Sequence, residues 1–387
     1  MMLAYHFTEM PYPFLPEDAE ERYGAMRVTL PNKYFDPRKG HELYNRYLDE
    51  YEYAEELGLE IMLNEHHATA TCLDANVSIS AGALVRRTKR AKIAIVGFPL
   101  AHRNPIQVAE DAAMLDVISG GRIICGFVRG VGTEIHPANT NPAQTRERMQ
   151  EAHDLIIKAW TTPEEVFNWE GKHYQFRYVN PWPRPYQQPH PPIWITGTQP
   201  AGAPWVADHQ YTFCAFLTSY DQTDALFNAY RGRCRERGYP EPGPEKFAYL
   251  GLTYTAETEK QADEVGKKLL WYLYRKRPVG YFAPHGFLPP EALASFYDQS
   301  RMRRYTRSWE ELKAEGVVIA GTPKTVLEKV KYLHERCGVG HLLMMNQAGF
   351  MTAQETRRNM ELFAKEVYPE IRNLGEPKAS PAAVASG

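Results

Sequence analysis

The sequence predicts an α/β protein built as a (β/α)₈ TIM barrel with long insertion loops at the C-terminal face of the barrel. Short, continuous apolar segments alternate with longer helical patterns along almost all of the 387 residues, as expected for parallel strands that are covered on both faces. No GxGxxG motif follows the first strand candidate, which disfavours the doubly wound sheet that the same alternation would allow. No break in composition divides the chain, so we expect one domain over residues 1–372.

Eight segments have the short length and the apolar, β-branched composition of buried parallel strands. In chain order they are Leu3–Phe7, Leu59–Asn64, Ala91–Phe98, Arg122–Phe127, Pro192–Thr196, Thr212–Leu217, Ala248–Thr253 and His341–Met345. A barrel of this class has eight strands and takes about 250 residues. The remaining residues are therefore expected in loops and at the C-terminus.

Longer segments with helical periodicity separate these strands and are predicted to be helices. They are Gly40–Glu56, Ala75–Thr88, Pro105–Ile118, Pro142–Trp160, Asp221–Arg237, Thr258–Arg275, Pro323–Arg336 and Ala353–Ile371. Three of them begin with a capping residue that is followed by proline, at Asn104, Asn141 and Thr322. These signals predict where the three helices start.

Three segments are longer than the connections of a minimal barrel. They cover residues 8–39, 167–191 and 276–316 and are rich in proline or aromatic residues; the second is expected to cross the surface as an extended segment. Loops of this length in a compact domain are usually lids, binding loops or disordered, and we expect the substrate to be recognised by them. Residues 373–387 are small, polar and proline-containing, and are expected to form a disordered tail.

The composition disfavours several classes of protein. The 45 lysine and arginine residues are balanced by 47 aspartate and glutamate residues, with a formal net charge of −2, which argues against binding to nucleic acid or to an anionic membrane. No apolar run approaches the roughly 20 residues of a membrane-spanning helix, and no secretory signal is visible at the N-terminus. The five cysteines are dispersed and form neither a disulfide framework nor a CxxC metal pair. We therefore expect a soluble, cytoplasmic protein.

Titratable residues cluster after the strand candidates, where barrel enzymes carry their active sites. Glu65, His66 and His67 follow the second candidate, and His102 follows the third. Adjacent histidines point to opposite sides of an extended chain, which disfavours a shared metal ion. Two explanations remain open: histidines that hydrogen-bond and pack within the fold, or an acid–base histidine, since imidazole titrates near neutral pH.

Two further strand ends have features of an anion-binding loop. Arg129 is followed by Gly130 and Gly132 after the fourth candidate, and a guanidinium beside backbone N–H groups suits a phosphate. A glycine-rich turn with a surface arginine explains this pattern nearly as well. Thr196-Gly197-Thr198 repeats the pattern weakly on the fifth candidate, and Arg146 on the helix between them is either a second phosphate ligand or a solvated charge.

Taken together, these segments resemble the bacterial luciferase-like flavin-dependent monooxygenase family. The resemblance is carried by Asn64-Glu65-His66-His67 and by AIVGFPLAHRNPIQVAEDAAMLDVISGGRIICGFVRGVG from Ala94 to Gly132. It continues through Pro192-Ile193-Trp194-Ile195 and Gly321-Thr322-Pro323 to the last helix, so it covers most of the chain. No single motif is specific, but their order and spacing together are.

The resemblance implies a two-component monooxygenase, an oxidoreductase that uses reduced FMN and O₂ to oxygenate a small organic substrate through a C4a-hydroperoxyflavin. A separate NAD(P)H:flavin reductase would supply the reduced FMN, which fits the missing dinucleotide motif. The family also implies a homodimer or higher oligomer. Because the hydroperoxide decays when water reaches it, the site needs a cover, and residues 276–316 lie where the family has its mobile loop.

The resemblance also implies roles for individual residues. His66 matches the luciferase active-site histidine, and Glu65 and His102 are further catalytic candidates. The residues matched to the cofactor site are Val96, Gly97, Val128, Arg129, Gly130, Arg146, Gly197 and Thr198. The candidates for the substrate pocket are Tyr12, Phe14, Tyr34 and Phe98.

Within the cofactor set, Arg129, Arg146 and Thr198 match positions on the phosphate side of the flavin. The family often has a cis peptide bond where this chain has Val96-Gly97. Val128 takes the place of a reactive cysteine of luciferase, and the insertion after the first strand is also unlike luciferase. These departures argue against the aldehyde-to-light chemistry.

Two alternative functions remain open. The same superfamily contains barrels that bind a deazaflavin coenzyme and transfer hydride without oxygen, and sequence separates the two kinds poorly. A non-catalytic subunit, like the β chain of luciferase, is disfavoured because His66 and Arg129 are both present.

Overall fold

The computed structural model describes residues 1–130, 132–135, 137–274 and 307–374, and in these ranges the strands close into a barrel. The strands are β1 (Leu3–Thr8), β2 (Glu60–Leu63), β3 (Ile93–Pro99), β4 (Ile123–Val128), β5 (Phe167–Glu170), β6 (Gln175–Val179), β7 (Ile193–Gly197), β8 (Thr212–Phe216), β9 (Phe247–Thr255), β10 (Val318–Gly321) and β11 (His341–Gln347). Eight of them run parallel around the barrel in the order β1-β2-β3-β4-β7-β8-β9-β11, and β11 pairs back to β1. The predicted (β/α)₈ barrel is confirmed.

Helices connect the strands on the outside of the barrel. The described helices are α1 (Ala19–Tyr23), α2 (Pro37–Glu56), α3 (Val77–Arg87), α4 (Pro105–Ser119), α5 (Gly132–Ile135), α6 (Thr145–Thr161), α7 (Ala203–Asp208), α8 (Tyr220–Arg237), α9 (Glu259–Gly266), α10 (Leu270–Tyr274), α11 (Trp309–Ala314), α12 (Pro323–Cys337), α13 (Ala353–Leu362) and α14 (Tyr368–Arg372). Asn104 and Thr322 cap α4 and α12, and Asn141 caps a 3₁₀ turn that leads into α6. The three predicted helix starts are therefore confirmed. Within the described ranges, no helix has both the length and the apolar character needed to cross a bilayer.

Two apolar layers stabilise the barrel. One fills the interior and includes Leu3, Tyr5 and Phe7 of β1. The other lies between the strands and the helices and includes Ala4 of the same strand and Ile61 of β2. Because side chains alternate along a strand and both faces of these strands are buried, charged groups with access to solvent are expected where the strands end.

Several parts of the structure differ from the predicted elements; among them, the predicted helix Ala353–Ile371 is divided by a π-helical turn into α13 and α14, and α7 lies where no helix was predicted. The short strand β10 pairs with residues 252–255 of β9, beyond the part of β9 that pairs with β8, and four residues carry too little pattern to predict a strand. The segment 167–191 contains the antiparallel hairpin β5–β6 where an extended crossing was expected. The predicted helix Thr258–Arg275 is divided by a 3₁₀ turn into α9 and α10.

Parts of two predicted segments lie outside the described residues. Residues 275–306 include most of the predicted insertion 276–316, of which the structure describes the part that contains α11. Residues 375–387 make up most of the predicted tail. The disorder of the tail and the limits of the single domain therefore stay predictions.

Candidate active site

The loops after β2, β3 and β4 bring charged side chains together at the C-terminal end of three neighbouring strands. Glu65, His66 and His67 follow β2, Arg103 follows β3, and Glu134 lies on α5 after β4. The side chains form two separate ion-pair groups, one around each histidine. This separation agrees with the expectation that adjacent histidines point to opposite sides.

His66 is held by Glu134. The Nδ1 atom of His66 lies 2.9 Å from Oε1 of Glu134, and the same oxygen accepts hydrogen bonds from the hydroxyl of Thr133 at 2.6 Å and the backbone N–H of His67 at 3.4 Å. The Glu134 side chain is only 1% exposed. Because an ionised carboxylate only accepts hydrogen bonds, this contact assigns a proton to Nδ1 and turns Nε2 toward the barrel end of β1, where it lies 3.8 Å from Oε2 of Glu9.

His67 and Glu65 belong to the second group, together with Arg103. Oε1 of Glu65 lies 3.2 Å from Nε2 of His67, and Oε2 accepts from Nη1 of Arg103 at 3.1 Å and from the backbone N–H of Val77 at 3.0 Å. The hydrogen bond to Glu65 raises the pKa of His67 above its ordinary value. Arg103 also forms an ion pair with Asp111, with 2.9 Å between Nη2 and Oδ2. Glu65 is thus engaged by His67, by Arg103 and by the start of α3, which favours a structural over a catalytic role for it.

His102 lies against the loop that follows β4. A Cβ atom on Gly130 would come within 2.5 Å of the His102 ring, and Gly130 has a φ of +84°, so this position requires glycine. Among the described residues, neither ring nitrogen of His102 has a hydrogen-bond partner. Burial lowers the pKa of His102 to about 4, and the positive charge of Arg148 acts in the same direction. The ring is therefore neutral at pH 7.

A cleft of about 300 Å³ opens beside these groups. The side chains that line it include Glu65, His67, Asn76, His102, Arg103 and Glu134. It follows that two of the three predicted catalytic residues, Glu65 and His102, border one cavity. Glu134 also lines this cavity, and it is the residue that contacts Nδ1 of His66.

Apart from Arg146, the predicted cofactor residues lie toward the ends of β3, β4 and β7, which are neighbours in the barrel. The peptide bond between Val96 and Gly97 is cis, as the resemblance implied. Val128 and Gly130 are half-buried and Arg129 is exposed. On β7, Gly197 is half-buried and has no room for a side chain, since a Cβ would lie 2.6 Å from the Phe213 ring.

Thr198 follows β7 directly and is exposed there. Arg146 is exposed on α6, whereas Arg148, two positions later, donates from Nε to the carbonyl of Ala101 at 3.0 Å. Arg148 also stacks on Tyr174, with 4.8 Å between the guanidinium carbon and the ring centroid. The structure therefore brings Arg148 to the β3 loop. A phosphate contact by Arg146 stays a prediction.

Of the four predicted pocket residues, Tyr12 and Phe14 are in contact, with their ring centroids 5.8 Å apart. Phe98 is fully buried in the layer between strands and helices, with the Arg103 guanidinium 5.5 Å from its ring centroid. Tyr12 is also enclosed in this layer, and its hydroxyl accepts from the backbone N–H of Asp36 at 2.9 Å. Both side chains are buried in this geometry, and their role in lining a substrate pocket stays a prediction.

The other two pocket candidates lie on the long insertion after β1. Phe14 is exposed, and the ammonium of Lys39 lies 4.5 Å from its ring centroid. Tyr34 is half-buried and shares a hydrogen bond of 2.8 Å with the hydroxyl of Tyr23. For these two residues the pocket role stays a prediction.

Sequence reasoning gave no role to three residues that the structure places in the site: Glu9, Arg103 and Glu134. Glu134 was visible as a carboxylate soon after the Arg129 loop, but nothing in the sequence pairs it with His66, which is 68 positions away. Glu9 directly follows a strand, and that position was the available signal for it.

A metal ion is not expected at the two adjacent histidines, since each binds a different carboxylate. Among the described residues, His153, Asp154 and His209 have potential ligand atoms within 4.8 Å of one another. Both ring nitrogens of His153 already have partners, Asp154 at 2.8 Å and the hydroxyl of Tyr211 at 2.9 Å. This group is accounted for by packing between α6 and α7.

Comparison with known proteins identifies proteins that are similar to this chain in sequence and in structure. The oxygenase component of the flavin-dependent trigonelline monooxygenase of Acinetobacter baylyi is 22% identical over 351 residues, which span 86% of this chain and 91% of that protein. The FMN complex of the oxygenating constituent of 3,6-diketocamphane monooxygenase from Pseudomonas putida, a type II Baeyer-Villiger monooxygenase, superposes with a TM-score of 0.71 at 19% identity, covering 96% of this chain and 98% of that one.

A third protein shares the barrel but is named for another coenzyme. An F420-dependent secondary alcohol dehydrogenase, in complex with an F420-acetone adduct, superposes with a TM-score of 0.65 at 17% identity, covering 85% of this chain and 95% of that one. At these identities the two superpositions show the fold alone. The sequence model of luciferase-like monooxygenases matches residues 27–339, and by this match over most of its length the chain belongs to the luciferase-like monooxygenase family.

Proposed function

We propose that this protein is the oxygenase component of a two-component flavin-dependent monooxygenase. A separate NAD(P)H:flavin reductase supplies reduced FMN, and the protein uses it with O₂ to oxygenate a small organic substrate. The observation that carries the proposal is the placement of His66, an imidazole fixed at Nδ1 by Glu134, at the ends of the barrel strands. The name of the trigonelline relative, an oxygenase component, supports the separate reductase.

The residues at the ends of β4 and β7 fit a phosphate-bearing flavin. Arg129 is exposed there as a cation, and the left-handed Gly130 adds no side chain of its own to the loop. The exposed hydroxyl of Thr198 follows the adjacent strand. A guanidinium, a hydroxyl and backbone N–H groups are the donors that phosphates take in proteins. When bound, reduced FMN supplies the electrons that activate O₂.

The residues around His66 perform the part of the chemistry that belongs to the chain. The bond to Glu134 fixes the ring so that Nε2 can hold or accept a proton at the reacting centre. His102, neutral at pH 7, presents a ring without hydrogen-bond partners among the described residues at the edge of the cleft. The Glu65 group stabilises the loop on which His66 lies.

Oxygenation with labelled oxygen tests the proposed function. The protein, a generic flavin reductase, NADH and FMN are incubated under ¹⁸O₂ with a panel of small organic compounds, and products are analysed by mass spectrometry. One ¹⁸O atom in a product, only with reduced FMN present, is the expected result. Absence of FMN binding and of oxygen consumption would contradict it.

A deazaflavin-dependent hydride transfer is the second candidate, because the F420-dependent dehydrogenase has the same fold. The two functions differ in what the protein binds and consumes. We expect reduced FMN to bind more tightly than reduced F420 and oxygen to be consumed. Tighter binding of F420, with substrate oxidation under anaerobic conditions, would favour the second candidate.

We also propose that the protein forms a homodimer through α3 and α4. These helices pack side by side and expose large apolar side chains. The exposed residues are Ile79, Met114, Val117 and Ile118. Exposed large apolar side chains on neighbouring helices are typical of protein–protein interfaces.

A further inference from the structure

Glu9 is a buried acid beside His66. It follows β1 directly, two positions after Phe7, which faces the barrel interior. Glu9 is 2% exposed, and neither of its carboxylate oxygens has a hydrogen-bond donor in the part of the chain that the structure describes. Oε2 of Glu9 lies 3.8 Å from Nε2 of His66. This distance allows an electrostatic interaction but is too long for a hydrogen bond.

The neighbouring charged groups have partners of their own. Arg103 and His67 bind Glu65, and Nη2 of Arg27, the buried arginine of the preceding insertion, donates to the hydroxyl of Thr71 at 2.8 Å. A buried carboxylate without a donor costs free energy. A ligand that brings a donor to Glu9 would offset this cost on binding.

The geometry also indicates what the donor must be. Because Nδ1 of His66 is bound by Glu134, Nε2 is the atom that faces Glu9. Two acceptors 3.8 Å apart can share one donor atom at about 2.8 Å from each, an ordinary hydrogen-bond length. A positively charged nitrogen with N–H groups satisfies both and neutralises the carboxylate.

We propose that Glu9 anchors a protonated nitrogen of the substrate, so that the enzyme acts on cationic amines or amidines. The nitrogen donates to Glu9 and to Nε2 of His66, which places the adjoining carbon skeleton next to the histidine. This assignment rests on the proposed function only in naming the ligand a substrate. The binding itself needs neither flavin nor oxygen.

Three probes of similar shape test the charge preference. Benzylammonium, benzyl alcohol and benzoate are titrated into the flavin-free protein at pH 7.5, and dissociation constants are measured by saturation-transfer NMR. We expect benzylammonium to bind at least tenfold more tightly than benzyl alcohol, and benzoate to bind most weakly. Equal affinities, or a preference for benzoate, would overturn the proposal without any variant.

Two variants test whether the preference for the cationic probe depends on Glu9. Glu9→Gln keeps the shape and removes the charge, and should bring benzylammonium to within twofold of benzyl alcohol. Glu21→Gln removes a carboxylate from the exposed surface of α1 and should retain the wild-type preference. Unchanged benzylammonium binding in Glu9→Gln would overturn the assignment of Glu9.

The labelled-oxygen assay separates this proposal from the proposed function. Charge-selective binding that depends on Glu9, without any oxygenation, would leave the amine site standing and contradict the monooxygenase. Oxygenation of neutral compounds alone, together with equal affinities for the three probes, would support the monooxygenase and contradict the amine site.

Discussion

His66 takes its orientation from one buried carboxylate. Oε1 of Glu134 lies 2.9 Å from Nδ1 of His66 and is itself fixed by the Thr133 hydroxyl at 2.6 Å. A carboxylate on one ring nitrogen decides which nitrogen carries the proton and stabilises the charged ring. The direction of Nε2 is therefore set by the fold before any ligand binds.

Replacing His66 with alanine is expected to leave FMN binding intact and to lower the rate of product formation about 100-fold, the order of magnitude of acid–base catalysis by a positioned side chain. In this variant, O₂ that is consumed by the reduced FMN is expected to be released as hydrogen peroxide instead of being incorporated into product. Product is measured by mass spectrometry and peroxide by a coupled peroxidase assay. His67→Ala is the matched control, since His67 binds Glu65 instead, and it should keep most of the product yield. A wild-type yield in His66→Ala would remove His66 from the mechanism.

Glu134 is expected to act as a positioning residue. Glu134→Gln should lower the rate of product formation about tenfold or more, because the carboxylate that holds Nδ1 of His66 is lost. FMN affinity should not change. Glu134→Asp, which retains the carboxylate, should restore the rate in part. A wild-type rate in Glu134→Gln would show that the contact is only structural.

The phosphate assignment is tested with three arginines. Arg129→Ala should weaken FMN binding about tenfold, equivalent to about 1.4 kcal/mol, measured by flavin fluorescence titration. Arg146 is exposed on α6, whereas Arg148 contacts the β3 loop through Ala101. We therefore expect a larger loss of affinity in Arg148→Ala than in Arg146→Ala. Unchanged affinity in Arg129→Ala would contradict its phosphate role.

The loop after β4 depends on a glycine. Gly130 has a φ of +84°, and a Cβ there would lie 2.5 Å from the His102 ring. The left-handed backbone and the close contact both disfavour any other residue. The same loop carries Arg129 on one side and leads into α5 with Glu134 on the other. Its conformation therefore connects the phosphate side of the site with His66.

Gly130→Ala should lower the free energy of unfolding by about 1–3 kcal/mol, the cost of a left-handed residue with a side chain, measured by urea denaturation. Gly232→Ala is the control, because it lies on α8 with no atom near the position of its Cβ and should be neutral or stabilising by up to about 1 kcal/mol. The double variant Gly130→Ala/His102→Ala should recover the part of the loss that comes from the ring contact. Equal stability of the two single variants would contradict the assignment.

Elements with a clear pattern were predicted, and elements without one were not. All eight barrel strands and the capped helix starts follow from apolar runs and from capping residues such as Asn104. Strand β10 and the hairpin β5–β6 do not, since their few residues receive their partners only from distant parts of the chain. The phosphate role of Arg146 stays a prediction for a similar reason: residues two apart on a helix face different directions, and the sequence does not show which direction is the site.

At the scale of the whole molecule, the exposed apolar side chains of α3 and α4 are expected to be buried in the interface of a homodimer. Ile79→Glu should convert the dimer to a monomer that remains folded, because Ile79 is 71% exposed in the single chain. Sedimentation velocity measures the change. Tyr178→Glu, on an exposed side chain of β6, should remain dimeric. A wild-type protein that is monomeric at micromolar concentration would contradict the interface.

The sequence by itself determined the barrel and the family, and it marked His66 as the catalytic candidate, because these depend on local periodicity and on motifs in a fixed order. Only the tertiary structure decided what His66 touches. Glu9 lies 57 positions before it and Glu134 68 positions after it, and their carboxylates reach the same ring because parallel strands bring their C-terminal ends to one face of the barrel. Contacts of this kind depend on side-chain direction at the end of each strand, and no local pattern in a single sequence encodes that direction.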